Sequence, residues 1–110
     1  MTVRSPRVSS STPPVVALDY EIAQEQASAL GRMGRALEAA LAALAAYQDR
    51  PQSLDGPTRG RLVQNASDAL WCFIVQREAC GLRDPRTVFQ DYRVPAEVRN
   101  RMGVFAGRRR

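Results

Sequence analysis

The feature that most constrains the fold is a long stretch in which apolar residues recur at helical spacing. Five large apolar residues lie three or four positions apart there: Leu30, Met33, Leu37, Leu41 and Leu44. This spacing places them on one stripe of an α-helix. Asp19 is a suitable N-cap, and Pro51 disfavours helical conformation at the residue before it. The sequence therefore predicts a helix over about residues 19–49, roughly 45 Å long.

A second apolar stretch predicts a helix over about residues 58–80. Thr58 is a candidate N-cap, and Gly81 suits the position just after a helix. The apolar positions form a wide stripe: Leu62, Val63, Ala66, Ala69, Leu70, Phe73 and Ile74. The loop between the two helices contains Pro and Gly and returns the chain, so we predict an antiparallel helical hairpin.

Two proline signals follow the hairpin. Asp84-Pro85 combines an N-cap residue with proline at the first helical position, and Val94-Pro95 interrupts the chain again. They predict short helices over about residues 85–91 and 95–102. We therefore predict an all-α fold in which two short C-terminal helices cap the hairpin.

The chain is long enough for one domain. Residues 1–17 are rich in Ser, Thr and Pro and predict a disordered N-terminal arm. We expect a single helical domain over residues 18–103 and a basic tail over residues 104–110. No apolar run approaches the roughly 20 residues that span a bilayer, and no signal peptide is evident. We expect a cytoplasmic protein with no membrane association.

The net charge of +5 lies in the two ends of the chain. Arg4, Arg7 and residues 108–110 account for it, because residues 18–107 hold eleven Arg and eleven Asp plus Glu. A basic chain usually indicates nucleic-acid binding, but here the predicted domain is formally neutral.

Several kinds of chemistry are disfavoured by composition. The chain has no histidine, which removes the commonest general base and metal ligand. Cys72 and Cys80 lie eight positions apart on one predicted helix, about 12 Å along its axis, whereas a disulfide needs Cα atoms within roughly 7 Å. Phosphate-binding, dinucleotide-binding and nucleophile-elbow motifs are absent from the sequence. We expect no catalytic residues, no cofactor and no metal; an enzyme would depend on Arg and carboxylate groups alone.

The first predicted helix is poor in polar side chains over much of its surface. Its small residues are Ala27, Gly31, Gly34, Ala36, Ala39, Ala40, Ala42, Ala43, Ala45 and Ala46. Glycine inside a helix costs up to about 1 kcal/mol against alanine, which close approach of another helix can offset. Such a surface indicates a partner, most simply a second copy. We predict a homodimer resembling a four-helix bundle. Its predicted interface residues are Ala27, Gly31, Gly34, Ala39 and Ala43.

Residues 84–102 suggest a different function. Two short helices joined by a break at Arg93 resemble a helix-turn-helix in length. The residues suited to nucleic-acid contact are Arg93, Arg99, Asn100 and Arg101. Glu97, near the start of the second short helix, would repel phosphate. We therefore predict a non-enzymatic interaction or scaffold module that acts through homodimerisation and a protein partner, with a DNA-binding regulator as the alternative.

Two stretches carry a resemblance to known proteins. They are DYEIAQEQASALGRMGRALEAALAAL, residues 19–44, and LWCFIVQREACGLRDPRTVFQDYRVPAEVRNRMG, residues 70–103. Both resemble a family of small bacterial helical proteins with no known activity. The resemblance implies a bacterial, all-helical domain, and it implies no catalytic residue or ligand.

Overall fold

The computed structural model describes residues 14–49 and 56–102, and every regular element in these ranges is an α-helix. The helices are α1 (Pro14–Asp49), α2 (Arg59–Ala79), α3 (Arg86–Asp91) and α4 (Ala96–Arg101). The predicted all-α class is confirmed. Across the described parts of the chain, no helix combines the length and the apolarity that a membrane crossing requires.

Helix α1 begins five residues earlier than the sequence predicts. Pro14 occupies its first position, where the fixed φ of proline suits a helix. The N–H that proline lacks would have no partner within the helix at this position. The predicted disordered arm is therefore wrong for residues 14–17, and Asp19 lies inside the helix instead of at its cap. Residues 1–13, like the predicted basic tail over 104–110, lie outside the described residues.

Local side-chain and backbone contacts fix the ends of α2. The Thr58 hydroxyl oxygen accepts a hydrogen bond from the backbone N–H of Arg61 at 3.1 Å, so Thr58 is the N-cap. At the other end Gly81 has a φ of 90°, and the N–H of Leu82 donates to the Arg77 carbonyl at 2.8 Å. This is the helix-ending motif in which glycine commonly takes the left-handed position.

Helices α1 and α2 pack against each other in opposite directions. Tyr47 near the end of α1 interacts with Arg59 at the start of α2, whereas Gly34 lies against Phe73 in the second half of α2. The buried apolar residues come from both helices and from the segment after them: Leu37, Leu44, Leu62, Val63, Ala66, Leu70, Phe73, Ile74, Val88, Val94 and Val98. The antiparallel hairpin thus has one core, which the residues of α3 and α4 extend.

A buried serine joins α4 to α2. Ser67 is fully buried, and it is the one buried polar side chain among the described residues. Its hydroxyl lies 3.0 Å from the carbonyl of Val98 in α4 and 2.8 Å from the carbonyl of Val63 one turn earlier in α2. The side chain of Val98 is itself fully buried. These contacts hold α4 against the first half of α2.

Candidate interaction surface

The N-terminal end of α1 extends beyond α2. Helix α1 has 36 residues and α2 has 21, so α2 can cover only about 31 Å of the roughly 54 Å of α1. Every residue from 14 to 25 is exposed. This end carries five large apolar side chains, here called the N-terminal apolar segment: Val15 (61 % exposed), Val16 (50 %), Leu18 (54 %), Tyr20 (66 %) and Ile22 (48 %). No described part of the chain covers them.

The second half of α1 exposes an almost uncharged surface. From Ala39 to Ala46 the sequence contains no polar side chain. The exposed alanines between residues 36 and 46, here called the alanine surface, are Ala36, Ala39, Ala42, Ala43, Ala45 and Ala46. Leu37 and Leu44 point the other way and are buried. Because alanine side chains are small, a second helix can approach the α1 backbone closely here.

The five predicted interface residues do not share one face of α1. Ala39 and Ala43 belong to the alanine surface, whereas Ala27, Gly31 and Gly34 line a groove of about 390 Å³ beside Phe73 and Tyr92. At about 100° per residue, the nine positions from Gly34 to Ala43 place these two residues on opposite sides of the helix.

Gly34 is buried by the chain itself. A Cβ atom at this position would lie 2.9 Å from Oη of Tyr92 and 3.4 Å from Cε1 of Phe73. The two rings pack edge to face with their centroids 5.4 Å apart. At Gly31 the nearest atom is Nη1 of Arg35 at 3.4 Å, the end of a flexible side chain. The close approach predicted for Gly34 is therefore made by aromatic side chains of the same chain.

The four residues predicted for nucleic-acid contact are all exposed. Two of them are engaged within the chain. The guanidinium of Arg99 lies 5.4 Å from the ring centroid of Phe89, and Nε of Arg101 donates to Oε1 of Gln64 at 2.8 Å. Asn100 and Arg101 also line a cavity of about 450 Å³.

An ion pair crosses the same surface. The carboxylate of Glu97, in the first turn of α4, accepts hydrogen bonds from both terminal nitrogens of Arg59, one of them at 2.9 Å. The Arg59 guanidinium lowers the pKa of Glu97, and the carboxylate raises the pKa of Arg59. The surface around α4 is therefore of mixed charge.

Arg93 occupies an unusual backbone conformation directly after α3. Its φ is 52°, in the left-handed region. The N–H of Val94 donates to the Phe89 carbonyl at 3.0 Å, and the N–H of Arg93 donates to the Gln90 carbonyl at 3.2 Å. Gly81 has the corresponding position after α2, and glycine is the usual residue there because a Cβ atom disfavours this conformation.

Asp84 forms a local ion pair just before α3. Asp84 accepts from the backbone N–H of Arg86 at 3.0 Å and pairs with its guanidinium at 2.9 Å. Hydrogen bonds from the Arg86 side chain, and to a smaller extent from the Arg86 backbone N–H, lower the pKa of Asp84 to about 2.

The two cysteines are free thiols: Cys72 is exposed and Cys80 is half-buried. Nowhere in the described ranges do three His, Cys, Asp or Glu side chains gather in a metal-binding arrangement.

The sequence prediction does not include the N-terminal apolar segment, because it places Val15 and Val16 in the disordered arm and begins the helix only at about residue 19. Two signals for it were present. Val15, Leu18 and Ile22 are three and four positions apart, as on one face of a helix. Pro14 also suits the first position of a helix.

Comparison with known proteins places the chain in a family. Neither a curated protein nor a solved structure matches it. A protein-family model, described as a family of unknown function (DUF6665), matches residues 6–110. Because the match covers nearly the whole sequence, this protein belongs to the DUF6665 family of unknown function.

Proposed function

We propose that this protein is a non-enzymatic interaction module that assembles with a second copy of itself through α1. The alanine surface is the observation that carries the proposal. A helix at a protein surface normally has charged or polar residues on its outer face. Between residues 36 and 46, α1 instead exposes six alanines, with Glu38 the one charged residue in this stretch.

The N-terminal apolar segment supports the same proposal. Exposed apolar residues that occur singly are ordinary, but a contiguous apolar surface on a soluble protein marks an interaction site. Both apolar regions lie on one helix, and a second copy supplies the same helix. A dimer through α1 leaves the surfaces of α3 and α4 free to bind a protein partner, which gives the module a scaffold role.

Substitution of the alanine surface tests the proposal. Ala39→Glu and Ala43→Glu each place a charge on that surface, and Ala96→Glu is a matched control at an exposed position of α4. Light scattering after size exclusion should give twice 12.2 kDa for the wild type and for Ala96→Glu, and a mass nearer one chain for the other two. Wild-type mass for both Ala39→Glu and Ala43→Glu would contradict the proposal. Since all three positions are exposed, circular dichroism should show unchanged helix content.

DNA binding by residues 84–102 has less support from the geometry. Arg99 and Arg101 contact side chains of the same chain, and Glu97 adds a negative charge to the helix that would approach DNA. This alternative predicts that the wild type binds mixed DNA fragments at low salt. Replacing Arg99 and Arg101 with alanine should then weaken binding and lower its salt dependence. Absence of wild-type binding at low salt would exclude the alternative.

A further inference from the structure

We propose that the two copies pair through α1 in antiparallel orientation, with Val15, Leu18 and Ile22 of each copy packed on the alanine surface of the other. This inference rests on the proposed function and specifies its geometry. It specifies the residues in contact, the relative orientation of the two helices, and their register.

One stripe of α1 has the spacing of a coiled coil. Alternating steps of three and four residues connect ten positions, here called the outer seam: Val15, Leu18, Ile22, Glu25, Ala29, Arg32, Ala36, Ala39, Ala43 and Ala46. Ala29 is half-buried and the other nine are exposed. The seam runs about 46 Å, almost the whole length of α1. A three-four repeat sustained over this length is the pattern with which two helices pack along each other.

The apolar side chains of the outer seam differ in size between the two ends of α1. Its apolar residues are large at the N-terminal end and are alanines from residue 36 onward. The distance between two packed helices depends on the side chains at their contact. Parallel pairing would set large residues against large ones at one end and alanine against alanine at the other. Antiparallel pairing sets large against small at both ends, so the helices can keep one spacing.

One antiparallel register aligns all ten positions of the two seams. With the two-fold axis between residues 30 and 31, each large residue faces an alanine of the second copy. The opposed pairs are Val15 with Ala46, Leu18 with Ala43, and Ile22 with Ala39. Symmetry repeats each pair, so all six large side chains of the two seams are covered. In this register the two α1 helices overlap over nearly their full length.

The charged positions of the seam favour the same orientation. Glu25 and Arg32 form an exposed ion pair within one chain, with Oε2 and Nη2 3.3 Å apart. In the antiparallel register, Glu25 of one copy lies about 6 Å along the axis from Arg32 of the other. The two Arg32 residues are about 4.5 Å apart along the axis, but each lies near the Glu25 of both copies, and the two Glu25 residues are about 16 Å apart. Parallel pairing would place like charges beside each other at both positions, which is unfavourable.

Disulfide trapping tests orientation and register together. The full chain with Cys72→Ala and Cys80→Ala is the parent, to which Leu18→Cys and Ala43→Cys are added singly and together. In the proposed pair, residue 18 of one copy faces residue 43 of the other, whereas the two copies of residue 18 are about 37 Å apart. Mild oxidation should therefore yield at least fivefold more covalent dimer from the double variant than from either single variant. Val15→Cys with Ala46→Cys should behave in the same way.

The possible failures are distinguishable. Cross-linking of both single variants would show a parallel pair. Absence of cross-links from both double variants, with a parent of twice 12.2 kDa by light scattering, would show a different interface. Either result overturns this inference and leaves self-assembly standing. A parent with the mass of one chain at every concentration would overturn the self-assembly proposal as well.

Discussion

Gly31 and Gly34 are close in sequence, but their surroundings differ. The Cβ of an alanine at 34 would meet the Tyr92 hydroxyl and the Phe73 ring, whereas at 31 it would meet only the end of the Arg35 side chain. Both substitutions gain helix propensity, up to about 1 kcal/mol. Overpacking at a filled position costs about 1–3 kcal/mol. Gly34→Ala should therefore be about 1–3 kcal/mol less stable than Gly31→Ala in urea denaturation, and equal stability would show that the aromatic rings move aside freely.

Arg93 gives a second prediction from the backbone. A residue with a Cβ atom in the left-handed region is disfavoured by about 1–2 kcal/mol relative to the right-handed one, and glycine avoids this cost. Arg93→Gly should therefore raise the free energy of unfolding by about 1 kcal/mol. Arg83→Gly is the control, because Arg83 is exposed and does not have a positive φ. A decrease in stability for Arg93→Gly would show that its side chain makes contacts worth more than the strain.

Residue-level prediction from the sequence was partial. The two glycines inside α1 predicted close packing, and at Gly34 the packing is there. The atoms that make it were not foreseeable, because Tyr92 lies 58 positions away and reaches Gly34 only after the chain turns twice. Thr58 and Gly81 were assigned correctly because a cap depends on residues only a few positions away.

At the scale of elements, α4 depends on its contacts with α2. It has only six residues, too few for a stable isolated helix. Ser67→Ala removes the buried hydroxyl and leaves the Val98 carbonyl without that partner, which should lower the free energy of unfolding by about 1–3 kcal/mol. Ser28→Ala is the matched control on the exposed face of α1. Equal stability of the two variants would show that water replaces the Ser67 hydroxyl.

The start of α3 should make stability depend on pH. The pKa of Asp84 is about 2 in the folded chain, against 3.8 for the free side chain, because Arg86 stabilises the carboxylate. The contribution of the Asp84 carboxylate to the free energy of unfolding is therefore present above pH 4 and is lost as the pH falls through about 2. Asp84→Asn should flatten the fall in melting temperature between pH 4 and pH 2, and Arg86→Ala should remove part of the same dependence. An unchanged profile in Asp84→Asn would contradict this assignment.

The helices were largely predictable from periodicity and local breakers. Proline and glycine signals correctly indicated four helical segments in the described ranges, because such signals act over one or two turns. The start of α1 was placed too late for the same reason. Asp19 is a suitable N-cap by residue type, but the helical spacing of apolar residues already begins at Val15.

At the scale of the whole molecule, one long helix joins the core to the candidate interaction surface. One face of α1 packs on α2 and contains Leu37 and Leu44, and the outer seam lies on another face. The sequence predicted that α1 has more than one apolar face. It did not predict their arrangement, because it grouped Gly34 and Ala43 by residue type. These two residues lie on opposite sides of the helix.

The most direct measurement is sedimentation equilibrium of the full wild-type chain at several concentrations and two salt concentrations. The proposal predicts a mass approaching twice 12.2 kDa as concentration rises. It also predicts that the dimer persists at high salt, because apolar side chains dominate the seam and salt screens only its exposed charges. A mass of 12.2 kDa at every concentration would contradict the proposed self-assembly.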